Sequence, residues 1–199
     1  MLIIVGAIVS YIVGSIPSGL IIAYLVKRID IRKFGSGNIG ATNVVRVVGK
    51  KWGVLTFFLD FIKGFLPVFM ASIIVSHCSY LFYISIATLS VVGHNWSVFL
   101  KFKGGKGVST SIGAVLGLCL VYPKLMFPLI SAVLVWAGIF MLFRIVSLAS
   151  LLGAFAFLSG SLIFLDFPFK MLSIVLFGFI VMRHKKNISN LLQNKELPF

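Results

Sequence analysis

Long apolar runs separated by short polar segments dominate the chain. Seven of these runs are candidates for membrane spans, and they cover residues 3–26, 53–76, 80–100, 108–123, 125–143, 146–165 and 168–182. A helix needs about 20 apolar residues to cross a bilayer, with a range near 17–25. The runs lack the apolar–polar alternation of barrel strands, and backbone groups in lipid must be paired within the segment. The pattern therefore predicts an all-α polytopic membrane protein with seven transmembrane helices.

The composition supports one integral-membrane domain over residues 1–199. Hydrophobic residues make up 60% of the chain and charged residues only 11%, whereas about a quarter of the residues of a soluble domain are charged. The net charge of +14 would suit a nucleic-acid binder. However, the basic residues lie between the apolar runs and form no continuous basic surface, so we expect no nucleic-acid partner. No basic segment precedes the first run, so the pattern predicts no cleavable signal peptide.

The placement of the basic residues predicts the orientation, because cytoplasmic loops are enriched in lysine and arginine. With the N-terminus outside, 15 basic residues lie on the inner side: Lys27, Arg28, Arg32, Lys33, Arg46, Lys50, Lys51, Lys101, Lys103, Lys106, Arg144, Arg183, Lys185, Lys186 and Lys195. Only Lys124 and Lys170 lie outside, and Lys63 falls within a span. Seven spans then place the C-terminus in the cytoplasm. Nearly all of the glycine-rich and polar sequence faces the same side, so we expect the functional site there.

The first inner segment, residues 35–46, combines glycines, amides and an arginine. Gly35, Gly37 and Gly40 match the dinucleotide pattern G-x-G-x-x-G, but that motif requires a preceding strand, and here a membrane helix precedes it. The glycines can adopt positive φ angles and turn their N–H groups toward an anion. Neutral donors and acceptors and one planar cation suited to phosphate accompany them: Ser36, Asn38, Thr42, Asn43 and Arg46. The alternative is a flexible polar loop with a topological arginine.

The second inner segment places Gly104, Gly105, Lys106 and Gly107 directly before the fourth apolar run. The order of a P-loop is absent, since Gly107 follows the lysine. A helix N-terminus nevertheless points at this loop and favours a phosphate. Lys106 is therefore a candidate phosphate ligand. Lys101 and Lys103 are better explained as anchors at anionic headgroups.

The remaining inner segments give weaker signals. Ser147 follows Arg144 at the start of the sixth run and is a candidate substrate contact, or it bonds only to its own helix. His184 and Asn187 are three residues apart and share a face if the seventh helix continues inward. A histidine near neutral pKa can serve in acid–base chemistry or bind phosphate. The alternative for this stretch is an ordinary basic tail.

Ionisable residues inside the apolar runs and possible metal ligands add little further chemistry. Asp60 and Lys63 are three residues apart within the second run, and such costly groups are predicted to pair inside the bundle. His77 and His94 have no carboxylate or cysteine at ligand spacing, so no metal site is predicted. Cys78 and Cys119 are too few for a disulfide framework, and the alternative is a single disulfide between them.

Three motifs resemble those of the bacterial acyl-phosphate:glycerol-3-phosphate acyltransferase family. They are Gly-Ser-Gly-Asn-x-Gly-Ala-Thr-Asn-x-x-Arg at 35–46, Gly-His-x-x-x-x-Phe leading to Phe-x-Gly-Gly-Lys-Gly-Val at 93–108, and Arg-His-x-x-Asn-Ile at 183–188 followed by Glu196. The resemblance covers nearly the whole chain and includes the seven-helix topology. One departure is Asn190, where a basic residue is expected.

The resemblance implies an enzyme that makes lysophosphatidic acid at the cytoplasmic face of a bacterial inner membrane. Its substrates would be acyl phosphate and glycerol 3-phosphate, with no cofactor, and we expect a monomer. It implies that Ser36, Arg46, His184 and Asn187 are catalytic. Gly104, Gly105 and Gly107 would bind acyl phosphate, and Glu196 would be structural. Asn38, Thr42, Lys106 and Ser147 complete the predicted substrate-binding set.

The expected mechanism is direct attack of the glycerol hydroxyl on the acyl-phosphate carbonyl, helped by positioning and charge stabilisation. His184 is either a general base or a phosphate ligand, and in the second case a substrate phosphate takes the proton. A covalent acyl group on Ser36 is less favoured, because no sequence signal places a base beside it. A transporter of a phosphorylated metabolite is the main alternative function, but it should carry polar groups near the midplane and often a repeated half. A membrane scaffold would leave the glycine-rich segments unexplained.

Overall fold

The computed structural model describes residues 2–75, 78–196 and 199 of the chain. The predicted all-α fold is confirmed, since no strand occurs in these residues. Their α-helices are α1 Leu2–Ser15, α2 Ser18–Lys27, α3 Ala41–Val47, α4 Lys50–Ile74, α5 Tyr80–Asn95, α6 Val108–Cys119, α7 Met126–Phe143, α8 Val146–Phe164, α9 Phe167–Arg183 and α10 Lys185–Leu192. His77 and part of the predicted outer loop around it lie outside the described residues.

Four helical segments in the described part of the chain are long and apolar enough to cross a membrane. They are Ile4–Lys27, Lys50–Ile74, Pro123–Phe143 and Val146–Phe164. A fifth candidate is α9 taken together with α10, although the two are bent by 62°. The helix α6 is apolar but has only 12 residues, so it covers only part of the short fourth run, 108–123.

The first apolar run is a broken helix rather than the continuous span of residues 3–26. Helix α1 ends at Ser15 and α2 begins at Ser18, on either side of Pro17, which has no N–H to donate. The carbonyls freed by the break find side-chain donors. Ser97 Oγ donates to the Ser15 carbonyl at 2.6 Å, and Lys63 Nζ donates to the Ile16 carbonyl at 2.7 Å. A break at membrane depth is tolerated when neighbouring side chains satisfy its backbone in this way.

The third run also departs from a straight span, and the chain bends directly after the seventh run. Helix α5 ends at Asn95, not at residue 100, and the following segment contains a 3₁₀ turn at Val98–Leu100 before it folds back on the helix end. At the other end of the chain, α9 stops at Arg183 and the chain bends into α10. His184 and Asn187 therefore do not lie on one continuous helix, which corrects that expectation.

Glycines allow two helix pairs to pack with their backbones in close contact. On α4 and α6, a Cβ atom at Gly64 would lie 2.1 Å from the Thr110 carbonyl oxygen, and one at Gly113 would lie 2.0 Å from that of Phe61. Between α1 and α5, a Cβ at Gly14 would lie 2.1 Å from the Ser90 carbonyl oxygen. Lipid supplies no hydrophobic force between membrane helices, so their association depends on close van der Waals packing. Small residues allow the backbones to approach closely enough for it.

The packing of the helices leaves one chamber between them. Helix α4 packs along α6, α1 along α5, and α7 along α8, while α8 also contacts α9. A separate small cluster that includes Ile31, Ile39, Val44 and Leu100 folds the first inner segment into a packed unit. Its core side chains are buried, so this segment is not a flexible loop.

Candidate active site

A cavity of about 710 Å³ lies between α4, α6, α7, α8 and α9. Nine of the predicted site residues line it: Ser36, Asn38, Thr42, Arg46, Lys106, Gly107, Ser147, His184 and Asn187. Gly104 and Gly105 are not among the lining residues. Segments that are as far apart in sequence as residues 36 and 187 therefore contribute polar groups to one chamber.

The buried amide of Asn43 shapes the first inner segment. Its Oδ1 accepts the backbone N–H of Ser36 at 2.9 Å, and its Nδ2 donates to the carbonyls of Phe34 at 3.1 Å and Asn38 at 2.8 Å. Gly35 and Gly37 adopt φ angles of 57° and 73°, which fits the positive-φ prediction. A Cβ at Gly35 would lie 2.3 Å from Asn43 Oδ1, so glycine is required there.

The sequence placed Asn43 only among the polar groups of the segment. The structure shows that it is the residue that holds Ser36 and Asn38 against the start of α3. The side chain of Asn38 is also engaged, because its Oδ1 accepts the N–H of Gly40 at 3.0 Å. The signal available in the sequence was one amide among several, and only its burial distinguishes it.

Lys106 and Gly107 form the entry to α6 beside the cavity. Gly107 adopts a φ angle of 78° and precedes the first helical residue without a side-chain cap, which leaves the N–H groups of the first turn facing the loop. Burial lowers the pKa of Lys106 to about 8, and the cations of Arg46 and Arg183 act in the same direction while Glu196 opposes them. The lysine and Arg46 thus share one electrostatic environment that favours anions.

The N–H groups of Gly104 and Gly105, two of the predicted acyl-phosphate ligands, both donate to the end of α5. Gly104 donates to the Asn95 carbonyl at 3.1 Å, and Gly105 donates to the His94 carbonyl at 2.9 Å. A Cβ at Gly104 would lie 2.0 Å from the His94 carbonyl oxygen, and one at Gly105 would lie 2.1 Å from His94 Nε2. Glycine is needed at both positions for close packing against the end of α5.

His184 lies at the bend between α9 and α10 and is buried, with 2% of its surface exposed. Its Nδ1 is 2.8 Å from the carbonyl oxygen of Ile180. Burial, together with the nearby Lys106 cation, lowers the pKa of His184 to about 4. The imidazole is therefore neutral near pH 7. A carbonyl only accepts, so Nδ1 carries the proton and Nε2 is left as an acceptor.

Glu196 joins two of the predicted site residues. Its Oε1 accepts hydrogen bonds from Ser147 Oγ at 2.7 Å and from Asn187 Nδ2 at 2.5 Å. Desolvation alone would raise the pKa of Glu196, but the hydrogen bonds from Ser147, Asn187 and Asn190 outweigh it and lower the pKa. The carboxylate therefore connects the start of α8 to α10 at the cavity wall. Asn190, which departs from the motif, takes part in the same contact.

The predicted ion pair inside the second span is confirmed. Lys63 Nζ lies 2.8 Å from Asp60 Oδ1, and both side chains are buried. His94 Nδ1 lies 3.7 Å from the same oxygen. Asp60 and His94 also line the cavity, and no pattern in the sequence places this histidine beside the carboxylate. Within the described ranges, no group of three or more His, Cys, Asp and Glu residues could hold a metal ion.

Much of the cavity wall is apolar. It includes Val115 of α6, Leu129 and Trp136 of α7, and Phe157 of α8. Ser147 and Phe157 both line the cavity from α8, and they are ten residue steps apart, which is about 15 Å along the helix. The sequence predicted an apolar bundle but could not identify which face of each helix encloses a chamber.

The same arrangement of helices and site segments occurs in a known family. A sequence model described as "Glycerol-3-phosphate acyltransferase" matches residues 4–194 of the chain. The chain belongs to the glycerol-3-phosphate acyltransferase family. The match includes every predicted catalytic and substrate-binding residue, while Glu196 lies just beyond it.

Individual members of the glycerol-3-phosphate acyltransferase family are similar over their full length. The enzyme of Aquifex aeolicus is 44% identical over 197 residues, which are 96% of this chain and 96% of the relative. That of Staphylococcus aureus (strain bovine RF122 / ET3-1) is 39% identical over 202 residues, with 98% and 97% covered.

Two solved structures of PlsY, an integral membrane glycerol 3-phosphate acyltransferase, have the same fold. The glycerol 3-phosphate form superposes with a TM-score of 0.88 at 40% identity, covering 100% of this chain and 96% of the other. The lysophosphatidic acid form superposes with a TM-score of 0.85 at 39% identity and the same coverage.

Proposed function

We propose that this acyltransferase moves a fatty acyl group from acyl phosphate to glycerol 3-phosphate, giving lysophosphatidic acid and inorganic phosphate. The observation that carries the proposal is the cavity itself. Arg46, Lys106 and His184 line what we call its polar end, and most of the remaining lining is apolar. A substrate with a phosphorylated head and a long apolar tail matches this division.

The reaction needs one nucleophilic attack and one proton transfer. The glycerol hydroxyl oxygen bonds to the acyl carbonyl carbon, and the bond between that carbon and the phosphate oxygen breaks. The electron pair of the broken bond leaves with phosphate, and the hydroxyl proton goes to a base. Because phosphate is a good leaving group, orientation and charge stabilisation supply most of the catalysis.

His184 fits the base better than a phosphate ligand. In its neutral form the Nδ1 hydrogen is engaged by the Ile180 carbonyl, so Nε2 can accept a hydrogen bond from the substrate hydroxyl but cannot donate one to a phosphate. Bound phosphates supply negative charge nearby, which favours the imidazolium and raises the pKa. The histidine then takes up the proton when both substrates are in place.

Arg46 and Lys106 would hold the phosphate groups. They reach the polar end of the cavity from α3 and from the entry to α6, so the two cations approach from different elements. Charge-assisted contacts of this kind are stronger than neutral ones and fix the reacting groups in position. Ser36, Asn38, Thr42, Ser147 and Asn187 would supply the neutral contacts.

The apolar part of the cavity would hold the acyl tail. Its length of about 15 Å along α8 is half of the roughly 30 Å hydrocarbon core of a bilayer, which is the depth that one acyl chain occupies in one leaflet. The reactive carbonyl would then lie at the level of the polar headgroups, beside the cations.

The topology would be seven spans with the N-terminus outside and the C-terminus in the cytoplasm. The spans would be α1 with α2, then α4, α5, α6, α7, α8 and α9, with α10 lying at the inner interface. The excess of basic residues on the side that carries all three motifs supports this orientation. The site would face the cytoplasm from a bacterial inner membrane, and one chain would suffice, since residues of a single chain line the chamber.

The test is phosphate release by purified protein in detergent or lipidic mesophase, with acyl phosphate supplied alone or with glycerol 3-phosphate. Release should require both substrates and yield lysophosphatidic acid. Arg46→Ala should lower kcat/KM by about a hundredfold, the usual effect of removing one charge-stabilising donor. The matched control is Arg28→Ala, an exposed arginine directly after α2 that does not line the cavity. No turnover by folded protein would refute the proposal, and uptake into proteoliposomes would then test transport.

A further inference from the structure

The side chain of Arg183, the last residue of α9, donates two hydrogen bonds to the glycine turn that precedes Lys106. Its Nε donates to the Gly105 carbonyl at 2.8 Å, and its Nη2 donates to the Gly104 carbonyl at 2.5 Å. The guanidinium also lies over the ring of Trp96, with its central carbon 5.9 Å from the centroid. The planar fork of arginine suits this two-carbonyl contact, whereas a lysine ammonium is a single point charge.

The opposite side of the turn is held by α5. The N–H groups of Gly104 and Gly105 donate to the carbonyls of Asn95 and His94, so all four backbone polar groups of the two glycines are engaged. The turn is therefore hydrogen-bonded to the ends of both α5 and α9, which are about 90 residues apart in sequence. Neither glycine lines the cavity, but the next two residues, Lys106 and Gly107, do.

We propose that Arg183 is a positioning residue, which fixes Lys106 and the N-terminus of α6 at the phosphate end of the cavity. The inference rests on the proposed function, in which Lys106 binds a substrate phosphate. It assigns the effect of the two glycines to the placement of Lys106 rather than to their own N–H groups. Because His184 follows Arg183 directly, the end of α9 places both the base and the lysine.

The charge of Arg183 also changes the pKa of Lys106, and this effect can be measured separately from the effect of its hydrogen bonds. Three charged groups act on Lys106: Arg46 from α3, Glu196 from the C-terminal segment and Arg183 from α9. The two arginines lower the pKa of Lys106 and Glu196 raises it. Loss of the Arg183 charge therefore raises the pKa of Lys106, whereas exchange for lysine keeps the charge and removes only the fork.

The experiment compares Arg183→Gln and Arg183→Lys with the parent protein, measuring KM for each substrate, kcat and the pH profile of kcat/KM. Both variants should raise KM for acyl phosphate, Arg183→Gln by about tenfold, since a small displacement of a positioning group has effects of that order or larger. We expect kcat/KM to fall at alkaline pH as Lys106 loses its proton. Only Arg183→Gln should move this fall to higher pH. In Arg183→Ala, millimolar guanidinium should restore part of the activity.

Controls separate this inference from the proposed function and from misfolding. Lys186→Gln, an exposed cation three residues further on, should behave like the parent. Thermal unfolding is measured for each variant, and Arg183→Lys carries the test if Arg183→Gln unfolds below the assay temperature. An active parent whose folded Arg183 variants keep parental KM values and pH profile would overturn the inference alone. A parent that is folded but inactive on acyl phosphate would overturn the proposed function first.

Discussion

The carbonyl oxygen of Ile180 lies 2.8 Å from Nδ1 of His184, where α9 ends. This contact fixes the tautomer of a buried, neutral imidazole and leaves Nε2 as the acceptor. A helix end thus supplies the orienting group that a carboxylate supplies in many catalytic histidine sites. In the proposed mechanism, this contact directs the histidine toward the substrate hydroxyl without the help of an aspartate.

Replacing His184 should stop the chemical step without preventing substrate binding. General base catalysis contributes about 10²–10⁴-fold, so His184→Ala should lower kcat by that order, while the Kd for glycerol 3-phosphate changes little. Single-turnover kinetics and isothermal titration measure the two quantities. Lys185→Ala, an exposed neighbour, is the control. A variant that loses binding and keeps kcat would identify His184 as a phosphate ligand.

The pH dependence of kcat/KM should reflect the protonation of Lys106. Burial lowers its pKa to about 8, so the cation is present below that pH and is lost as the pH rises through it. The value of kcat/KM, which reflects the free enzyme, should therefore fall above about pH 8. Lys106→Arg keeps a charged group at all accessible pH values, and its profile should lack this fall. An unchanged alkaline limb in Lys106→Arg would show that another group titrates.

The floor of the apolar chamber should set the preferred acyl length. Phe157 is buried and lines the cavity, whereas Phe155 on the same helix is 54% exposed. Phe157→Ala should shift the maximum of kcat/KM toward longer acyl phosphates, since each additional buried methylene contributes about 0.8 kcal/mol. Competition between acyl phosphates of different length measures the shift. Phe155→Ala is the matched control and should leave the preference unchanged, and an equal shift in both variants would place the tail elsewhere.

The buried pair of Asp60 and Lys63 should be far more sensitive to single than to double replacement. Breaking a buried pair leaves an uncompensated charge and costs about 3–5 kcal/mol. Asp60→Asn and Lys63→Met should each lower the unfolding temperature in detergent. The double variant should recover part of the loss, although not all of it, because Lys63 also satisfies the carbonyl of Ile16. Lys186→Met is the control, and strictly additive single effects would contradict the pairing.

The predictions from sequence were most accurate where one physical constraint acts on many residues. Hydrocarbon cannot hydrogen-bond to a backbone, so long apolar runs fold as helices, and the observed helices follow those runs. The predicted Asp60–Lys63 pair also followed from local spacing, since residues three apart share a helical face. Breaks within runs were missed, because the break at Pro17 depends on Lys63 and Ser97, which are donors from other helices.

The sequence by itself determined the membrane class, the helical fold and the segments that carry polar chemistry, because hydropathy and motif spacing are local properties. Only the tertiary structure decided which groups meet. It places Asn43 under the first segment, directs the N–H groups of Gly104 and Gly105 into α5, and brings Arg183 to the same turn. Hydrogen bonds between residues up to 85 positions apart depend on helix packing, and no local pattern encodes that packing. The physical reason is that the identity of a glycine or an arginine does not indicate whether its polar groups contact a substrate or a neighbouring helix.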